Sequence, residues 1–128
     1  MGRGTYDVIA GEDSWPYLGR PVHVLSTTLP ADADPRITVH AGLDQAVTAL
    51  GAAGHERVYV DGGRTVRSFL AAGLIREMTL SRVPVLIGES ATLFGPLPAD
   101  VDLEHLSTQV LAGGMVQTTY RVVSHAPA

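Results

Sequence analysis

A strand-to-helix signal in the middle of the chain constrains the fold more than any other feature of the sequence. Residues 57–60 (Arg-Val-Tyr-Val) are rich in β-forming side chains, and the Asp-Gly-Gly at 61–63 ends that run. Apolar side chains at Val66, Phe69 and Leu70 then recur at helical spacing. A strand followed directly by a helix is the building unit of α/β folds, so the sequence predicts that class.

Similar signals recur on both sides of this segment. We predict further strands at residues 21–26, 36–40 and 77–87, the last interrupted by Pro84, and a helix that starts near Leu43 and stops at Gly51 to Gly54. Runs at 106–111 and 115–123 flank Ala-Gly-Gly at 112–114 and predict a hairpin. This order predicts an α/β sandwich with a mixed, mostly parallel sheet and a C-terminal antiparallel hairpin.

The composition limits the partners of the chain. With 128 residues, of which 45% are hydrophobic, we expect one domain over residues 1–128 with a buried core. A net charge of -4 argues against nucleic-acid partners and against a membrane surface. No apolar run approaches the roughly 18 residues of a spanning helix, and the first residues lack the pattern of a signal peptide. We therefore expect a cytoplasmic location.

Two residue types that are absent exclude several enzyme classes. The chain has no cysteine, which excludes a thiol nucleophile, a thiolate zinc site and disulfides. It has no lysine, which excludes a P-loop lysine and a Schiff-base lysine.

Other catalytic and metal-binding patterns are missing as well. The histidines are His23, His40, His55, His105 and His125, and none stands four residues from another or beside an acidic pair in a helix. We therefore expect no metal site. The Gly-Glu-Ser-Ala at 88–91 lacks the second glycine of a nucleophile elbow, and no GxGxxG follows a predicted strand.

The opening residues have the chemistry of a phosphate site. Arg3 carries a planar, permanent cation, and Thr5 with the amides after Gly4 would open a helix whose start attracts phosphate. A surface charge and an ordinary helix start are the structural alternatives.

Two further segments carry the same chemistry at strand ends. Ser26 and Thr27 follow a predicted strand with hydroxyl donors. Gly62-Gly63 would let a second helix start approach a phosphate closely. Taken alone, these residues could equally form a turn and a tight strand-to-helix connection.

The order of these motifs resembles that of a known superfamily. In sequence they are Gly2-Arg3-x-Thr5-Tyr6, Leu25-Ser26-Thr27, Val60-Asp61-Gly62-Gly63, Gly73-Leu74-Ile75-x-Glu77, Pro84-Val85-Leu86-Ile87-Gly88, Leu93-Phe94 and Val116-x-x-x-Tyr120. The set resembles the dihydrofolate-reductase-like superfamily, and more closely the reductase domain of the bifunctional riboflavin-biosynthesis deaminase-reductase. Arg76 departs from that branch, which usually has Asp there.

The resemblance implies a three-layer α/β/α sandwich and an NADPH-dependent reductase acting on a small heterocyclic substrate. It assigns the cofactor to Gly2, Arg3, Thr5, Leu25, Ser26, Thr27, Gly62, Gly63, Arg64 and Thr65, with Arg3, Ser26 and Thr27 around the 2′-phosphate. Asp61 and Ser81 are candidates for substrate contact, although a helix-start carboxylate and a satisfied strand hydroxyl are their structural alternatives. The resemblance assigns no catalytic residue to this chain.

The resemblance also carries expectations about assembly and completeness. The first strand, the first helix and most of the second strand of the fold would precede residue 1, with the first strand between those predicted at 36–40 and 57–60. We expect a homodimer that covers apolar surface, and a strained turn at 61–63, including a non-proline cis peptide. The alternative function is a non-catalytic nucleotide-binding or dimeric assembly module.

Overall fold

The computed structural model describes residues 1–123, which form two compact units. The first unit, Met1–Ser68, contains α1 (Arg3–Ala10), β1 (Val22–Leu25), β2 (Ile37–His40), α2 (Leu43–Ala52) and the start of α3 (Gly63–Ala71). The second unit begins at Phe69 and contains the end of α3, then β3 (Glu77–Arg82), β4 (Leu103–Val110) and β5 (Val116–Val122). That both units belong to one domain stays a prediction.

The first unit is built on a short parallel sheet. β1 pairs with β2 in parallel, and Leu25 lies opposite His40. The other edge of β1 takes the start of the chain: the Met1 ammonium donates to the His23 carbonyl oxygen at 2.8 Å, and the Leu25 amide donates to the Met1 carbonyl oxygen at 2.9 Å. The turn from residue 2 into α1 is therefore fixed at the carboxyl end of β1.

The core of this unit holds α1 against the sheet. Tyr6 of α1 is buried with Val22, Val24 and Ile37. Burying side chains of this size stabilises a fold by roughly 1.5–3 kcal/mol each. The Tyr6 hydroxyl also donates a 3.0 Å hydrogen bond to Asp34 Oδ2, so its polar end is satisfied inside the core.

Asp34 is a buried carboxylate whose charge is fully compensated. It is 7% exposed and accepts hydrogen bonds from the Arg36 amide at 2.8 Å and from Arg36 Nη2 at 2.6 Å. The hydrogen bonds from Arg36 hold the pKa of Asp34 well below its usual range, and the hydrogen bond from Tyr6 acts in the same direction. The Arg36 guanidinium lies over the Trp15 ring, 4.3 Å from its centroid. This network connects α1 to the loop before β2.

The second unit contains an antiparallel sheet in the order β3-β5-β4. A 3₁₀ turn, Ala112–Gly114, joins β4 to β5, with φ of +77° at Gly113 and +75° at Gly114. Both values fall in the left-handed region that glycine enters without steric cost. The predicted hairpin is confirmed.

One face of this sheet is a set of polar cross-strand rows. Gln109 Nε2 donates to Gln117 Oε1 at 2.9 Å, and Gln117 Nε2 donates to Ser81 Oγ at 3.0 Å. Arg121 and Glu104 form an ion pair of 2.6 Å on the same face. Such pairs hold the strands in register, because each connects residues directly opposite each other.

One predicted strand is wrong and another is shorter than predicted. Residues 57–60 form no strand and pair in neither sheet, and Tyr59 is 91% exposed. β-forming side chains are not sufficient for a strand, because a strand also needs a ladder partner. The strand predicted at 77–87 ends at Arg82, just before Pro84, which has no amide hydrogen to donate to a ladder.

The α/β class is confirmed, together with the presence of both parallel and antiparallel pairing. The described strands form a parallel pair and a separate antiparallel sheet. The predicted helices after residues 43 and 63 are confirmed, with α2 running past Gly51 to Ala52.

Three histidines form a cluster in the first unit. His23 Nδ1 lies 2.8 Å from His40 Nε2, and these two rings are stacked with centroids 5.1 Å apart. The His55 ring is nearly perpendicular to that of His23, with centroids 6.3 Å apart. Burial lowers the pKa of His23, and the charges of His40, His55 and the Met1 ammonium act in the same direction. The hydrogen bond needs a neutral acceptor nitrogen, so at least one ring of the pair is uncharged.

We expect the first unit to lose stability in mild acid. Because folding lowers the pKa of His23 from 6.5, the unfolded chain binds more protons, and this stabilisation is complete above about pH 6.5 and is lost as the pH falls below it. Thermal unfolding from pH 8 to pH 5 measures the effect. The dependence should be weaker in His23→Gln and unchanged in the control His105→Gln; equal slopes in all three proteins would contradict this explanation.

Candidate functional site

Two helix starts face each other in the first unit. A Cβ atom added at Gly62 would lie only 2.6 Å from Thr5 Oγ1, and one added at Gly2 would lie 2.8 Å from Thr65 Oγ1. The same position on Gly62 is 3.9 Å from the Gly2 amide nitrogen. The start of α1 and the turn into α3 are therefore in direct contact, and glycine at both positions makes this approach possible.

The turn at 61–63 reaches this geometry with a left-handed residue. Gly62 has φ of +93°, a conformation that side chains with a Cβ rarely adopt. The expected cis peptide is wrong, because every peptide bond in the described residues is trans. A left-handed glycine already reverses the chain between residue 61 and the start of α3, so the turn needs no isomerisation.

The electrostatics of the two helix starts favour an anion. Gly2 caps α1 in extended conformation, and no side chain caps that start by a hydrogen bond. Neither α1 nor α3 has an acidic residue in its first turn. The amide hydrogens of a first turn have no partner within the helix, and the helix dipole adds partial positive charge there. Amides of this kind are the donors that bind phosphate at helix starts, and the Asp61 carboxylate beside them accepts from the Gly62 amide.

Arg3 lies beside this site and is held by side chains of the same unit. Its Nε donates to both carboxylate oxygens of Asp7, at 2.7 and 3.0 Å, and its Nη1 contacts Thr28 Oγ1 at 3.5 Å. Thr28 Oγ1 lies 3.4 Å from Ser26 Oγ. Arg3 and Ser26 are thus connected through Thr28, a residue that the sequence analysis did not select.

The signal for Thr28 was present in the sequence. Residues 26–28 read Ser-Thr-Thr, and the third hydroxyl of this run contacts Arg3, while Thr27 is exposed with no side-chain contact to Arg3 among those described. The Ser26 hydroxyl accepts hydrogen bonds from the amides of Thr28 and Leu29, at 3.2 and 3.0 Å. This turn folds the third hydroxyl back toward Arg3, which spacing alone does not reveal.

The remaining predicted cofactor residues lie at the end of β1 and at the start of α3. Leu25 is the last residue of β1 and pairs with Gly2 in a parallel bridge. Gly63 is the first residue of α3, and Arg64 next to it is exposed. Thr65 is 6% exposed, so its hydroxyl faces inward at the contact with α1.

The two candidate substrate residues lie in different units. Asp61 belongs to the first, where its Oδ1 accepts a 2.7 Å hydrogen bond from the Gly62 amide. Ser81 belongs to the second, where it is exposed and accepts a hydrogen bond from Gln117. Asp61 thus behaves as a helix-start carboxylate and Ser81 as a satisfied strand hydroxyl. A role in substrate binding stays a prediction for both.

The described residues contain no group of three or more His, Asp or Glu side chains arranged to hold a metal ion. His125 lies outside the described residues. No helix within residues 1–123 is both long enough and apolar enough to span a membrane.

We expect Gly62→Ala to destabilise the chain. A left-handed conformation costs a residue with a Cβ roughly 1–2 kcal/mol, and the new methyl group would also collide with Thr5 Oγ1. Gly4→Ala is the matched control, because Gly4 lies in α1 with no atom within 4 Å of an added Cβ. That change should stabilise by about 0.5–1 kcal/mol. Urea unfolding of both variants is the measurement, and a neutral Gly62→Ala would contradict the close approach.

Comparisons with known proteins assign the chain to a family. The RibD C-terminal domain family matches residues 20–117. The crystal structure of a candidate riboflavin biosynthesis protein from Shewanella sp. PV-4 aligns with a TM-score of 0.85 and 34% identity, over 97% of this chain and 72% of that one. A pyrimidine reductase-like protein from Corynebacterium diphtheriae NCTC aligns with a TM-score of 0.65 and 20% identity, over 84% of this chain and 52% of that one. No curated protein sequence matches.

These matches also confirm the fold class. The agreement with the Shewanella structure extends over nearly the whole chain, and it supports an α/β sandwich of the dihydrofolate-reductase-like type. The family match includes β1, β2, both helices that follow, and most of the antiparallel sheet. The chain belongs to the RibD C-terminal domain family, the reductase-like branch that its motif order predicts.

Proposed function

We propose that this chain binds NADPH and belongs to a reductase that transfers hydride to a small heterocyclic substrate. The observation that carries the proposal is the contact between two helix starts at Gly2 and Gly62, with Arg3 and hydroxyl side chains next to it. Family membership favours a substrate resembling the ribosylamino-pyrimidine of riboflavin biosynthesis, and the Corynebacterium protein is itself described as pyrimidine reductase-like.

The residues present fit a phosphorylated dinucleotide. The pyrophosphate of such a cofactor needs amide donors, and the first turns of α1 and α3 supply them without an acidic side chain of their own. The carboxylate beside them is that of Asp61, which accepts a hydrogen bond from the Gly62 amide. A side chain at Gly2 or Gly62 would fill the approach between them. Thr5, which is half-buried, adds a hydroxyl group that can donate to a phosphate oxygen.

Arg3 favours NADPH over NADH. Its guanidinium is a permanent cation with N–H donors in a plane, which suits a phosphate monoester. The hydroxyls of Ser26 and Thr28 lie on the same side, in a chain of contacts of 3.5 and 3.4 Å from Arg3 Nη1. The 2′-phosphate is the group that distinguishes the two cofactors, so these contacts would be made with NADPH alone.

NADPH supplies the hydride when bound, and the protein holds the cofactor and the substrate in position. In our proposal the helix starts fix the pyrophosphate and Arg3 fixes the adenosine end. Asp61 in the first unit and Ser81 in the second each stay candidates for substrate contact. The proton donor is not assigned to any residue of this chain. The chain spans 72% of the Shewanella structure and 52% of the Corynebacterium structure, so the complete reaction is proposed for the whole protein.

The alternative is a non-catalytic nucleotide-binding or assembly module. Exposed apolar side chains favour assembly of some kind: Val85 is 64% exposed, Leu86 is fully exposed and Ile87 is 67% exposed. A protein that binds NADPH and dimerises, but reduces no pyrimidine, would support this alternative over the reductase.

We expect a homodimer through this exposed apolar run. Sedimentation of the chain at micromolar concentration should give twice the monomer mass, and Leu86→Glu should weaken the dimer at least about tenfold, because it would bury a charge. Leu18→Glu, at a site 84% exposed in the first unit, is the control and should leave the dimer intact. A monomeric wild type, or a dimer insensitive to Leu86→Glu, would contradict this proposal.

Calorimetric titration with NADPH and NADH tests cofactor binding. A charge-assisted contact from Arg3 to the 2′-phosphate is worth roughly 1.5–3 kcal/mol, so NADPH should bind about ten- to a hundredfold more tightly. Arg3→Ala should remove this preference with little change in NADH affinity. Arg20→Ala removes the same charge from an exposed position and should have no effect. Equal affinities in the wild type would mean that residues 2–5 only begin α1 and do not recognise the 2′-phosphate.

A further inference from the structure

The orientation of Arg3 is determined by two residues that lie outside the predicted cofactor set. Asp7 is one helical turn further along α1 and accepts from Arg3 Nε with both of its carboxylate oxygens, at 2.7 and 3.0 Å. Thr28 lies after β1 and contacts Nη1 at 3.5 Å. The guanidinium is thus held from opposite sides, by a carboxylate at Nε and by a hydroxyl at Nη1.

Asp7 occupies only part of the donor capacity of Arg3. A guanidinium has five N–H donors, and the contacts with Asp7 use the single one on Nε. No hydrogen bond from an Nη atom to Asp7 is among those described, and Nη1 contacts Thr28. This leaves a forked set of donors for an incoming phosphate.

Thr28 can form hydrogen bonds with both Arg3 and a phosphate. Its hydroxyl accepts from Arg3 Nη1, and a hydroxyl that accepts one hydrogen bond can still donate its own hydrogen. The turn closed by the Ser26 hydroxyl, which accepts from the Thr28 and Leu29 amides, fixes the position of Thr28. The threonine is therefore in position before any ligand arrives.

The Arg3–Asp7 pair contributes more to orientation than to folding. The side chains of Arg3 and Asp7 are 41% and 51% exposed, and exposed ion pairs of this kind contribute little to stability. Arginine has many rotamers, and ordering such a side chain on binding costs affinity. A pair that orders Arg3 in advance removes part of that cost.

We propose that Asp7 and Thr28 are positioning residues that determine selectivity for a 2′-phosphorylated dinucleotide. Asp7 holds the Nη side of Arg3 toward the loop at residues 26–28, and Thr28 both fixes Nη1 and donates its hydroxyl hydrogen to the phosphate. This inference rests on the proposed NADPH site. It adds a requirement that the cofactor assignment alone does not make: removing a negative charge from the site should weaken the binding of an anion.

Calorimetry with NADPH and NADH on the full 128-residue chain tests the role of Asp7. Asp7→Ala should weaken NADPH about three- to tenfold, the equivalent of one hydrogen bond, and leave NADH unchanged. Asp7→Asn keeps an oxygen acceptor for Arg3 Nε and should restore NADPH affinity to within about twofold of the wild type. Asp13→Ala, an identical charge change at an exposed loop position, should have no effect.

Thr28 is tested by the matched pair Thr28→Val and Thr28→Ser. The valine keeps the shape of threonine without its hydroxyl and should weaken NADPH about three- to tenfold, whereas the serine keeps the hydroxyl and should bind like the wild type. Thermal unfolding of each variant should stay close to that of the wild type, because these contacts are exposed.

The possible outcomes separate this inference from the proposed function. An Asp7→Ala variant that binds NADPH as well as the wild type, or more tightly, would overturn it, and so would equal losses in Asp7→Ala and Asp7→Asn. In these cases a preserved effect of Arg3→Ala would leave the NADPH proposal standing. A wild-type chain without preference for NADPH would overturn the proposed function, and this inference with it.

Discussion

The close approach of two helix starts is the constraint on which the rest of the candidate site depends. Gly2 and Gly62 have no side chains, and Thr5 and Thr65 occupy the space that those side chains would need. The contact fixes the direction in which both helices present their first amides. Arg3 follows Gly2 directly, so its place beside these amides is a consequence of the same contact. A single methyl group at either glycine would lie less than 3 Å from a threonine hydroxyl, so one of the two groups would have to move.

This contact is stable because tertiary interactions hold α1 within the first unit. The Tyr6 ring is in the core of the first unit, and its hydroxyl reaches the buried Asp34. Arg36 neutralises that carboxylate and lies over Trp15, so the charge is buried with complete hydrogen bonding. At the other end, the Met1 backbone is paired with β1. A short helix of eight residues is marginal in isolation, and these tertiary contacts supply the stability that its sequence lacks.

The sequence predicted those features that depend on local chemistry. The hairpin at Gly113 and the helix after Gly62 follow from glycines at turns and from apolar periodicity, which need no knowledge of distant residues. The strand predicted at 57–60 failed because pairing depends on a neighbouring strand that β-propensity does not report. Asp7 and Thr28 were missed for a related reason: both act through Arg3, and Thr28 is 25 residues away from it. The family resemblance selected residues that would touch the cofactor, whereas the structure adds those that orient them.

The central claim is that a dinucleotide binds at the paired helix starts, and amide chemical shifts measure this most directly. A ¹⁵N-labelled chain titrated with NADPH should show its largest shifts at the amides of residues 2–5 and 62–65, together with those of the loop at 26–28. These segments are separated in sequence and meet only in the folded first unit, so coincident shifts with one dissociation constant would support the proposed site. Shifts confined to another surface, such as the cleft lined by Arg76 and Arg121 in the second unit, would contradict it.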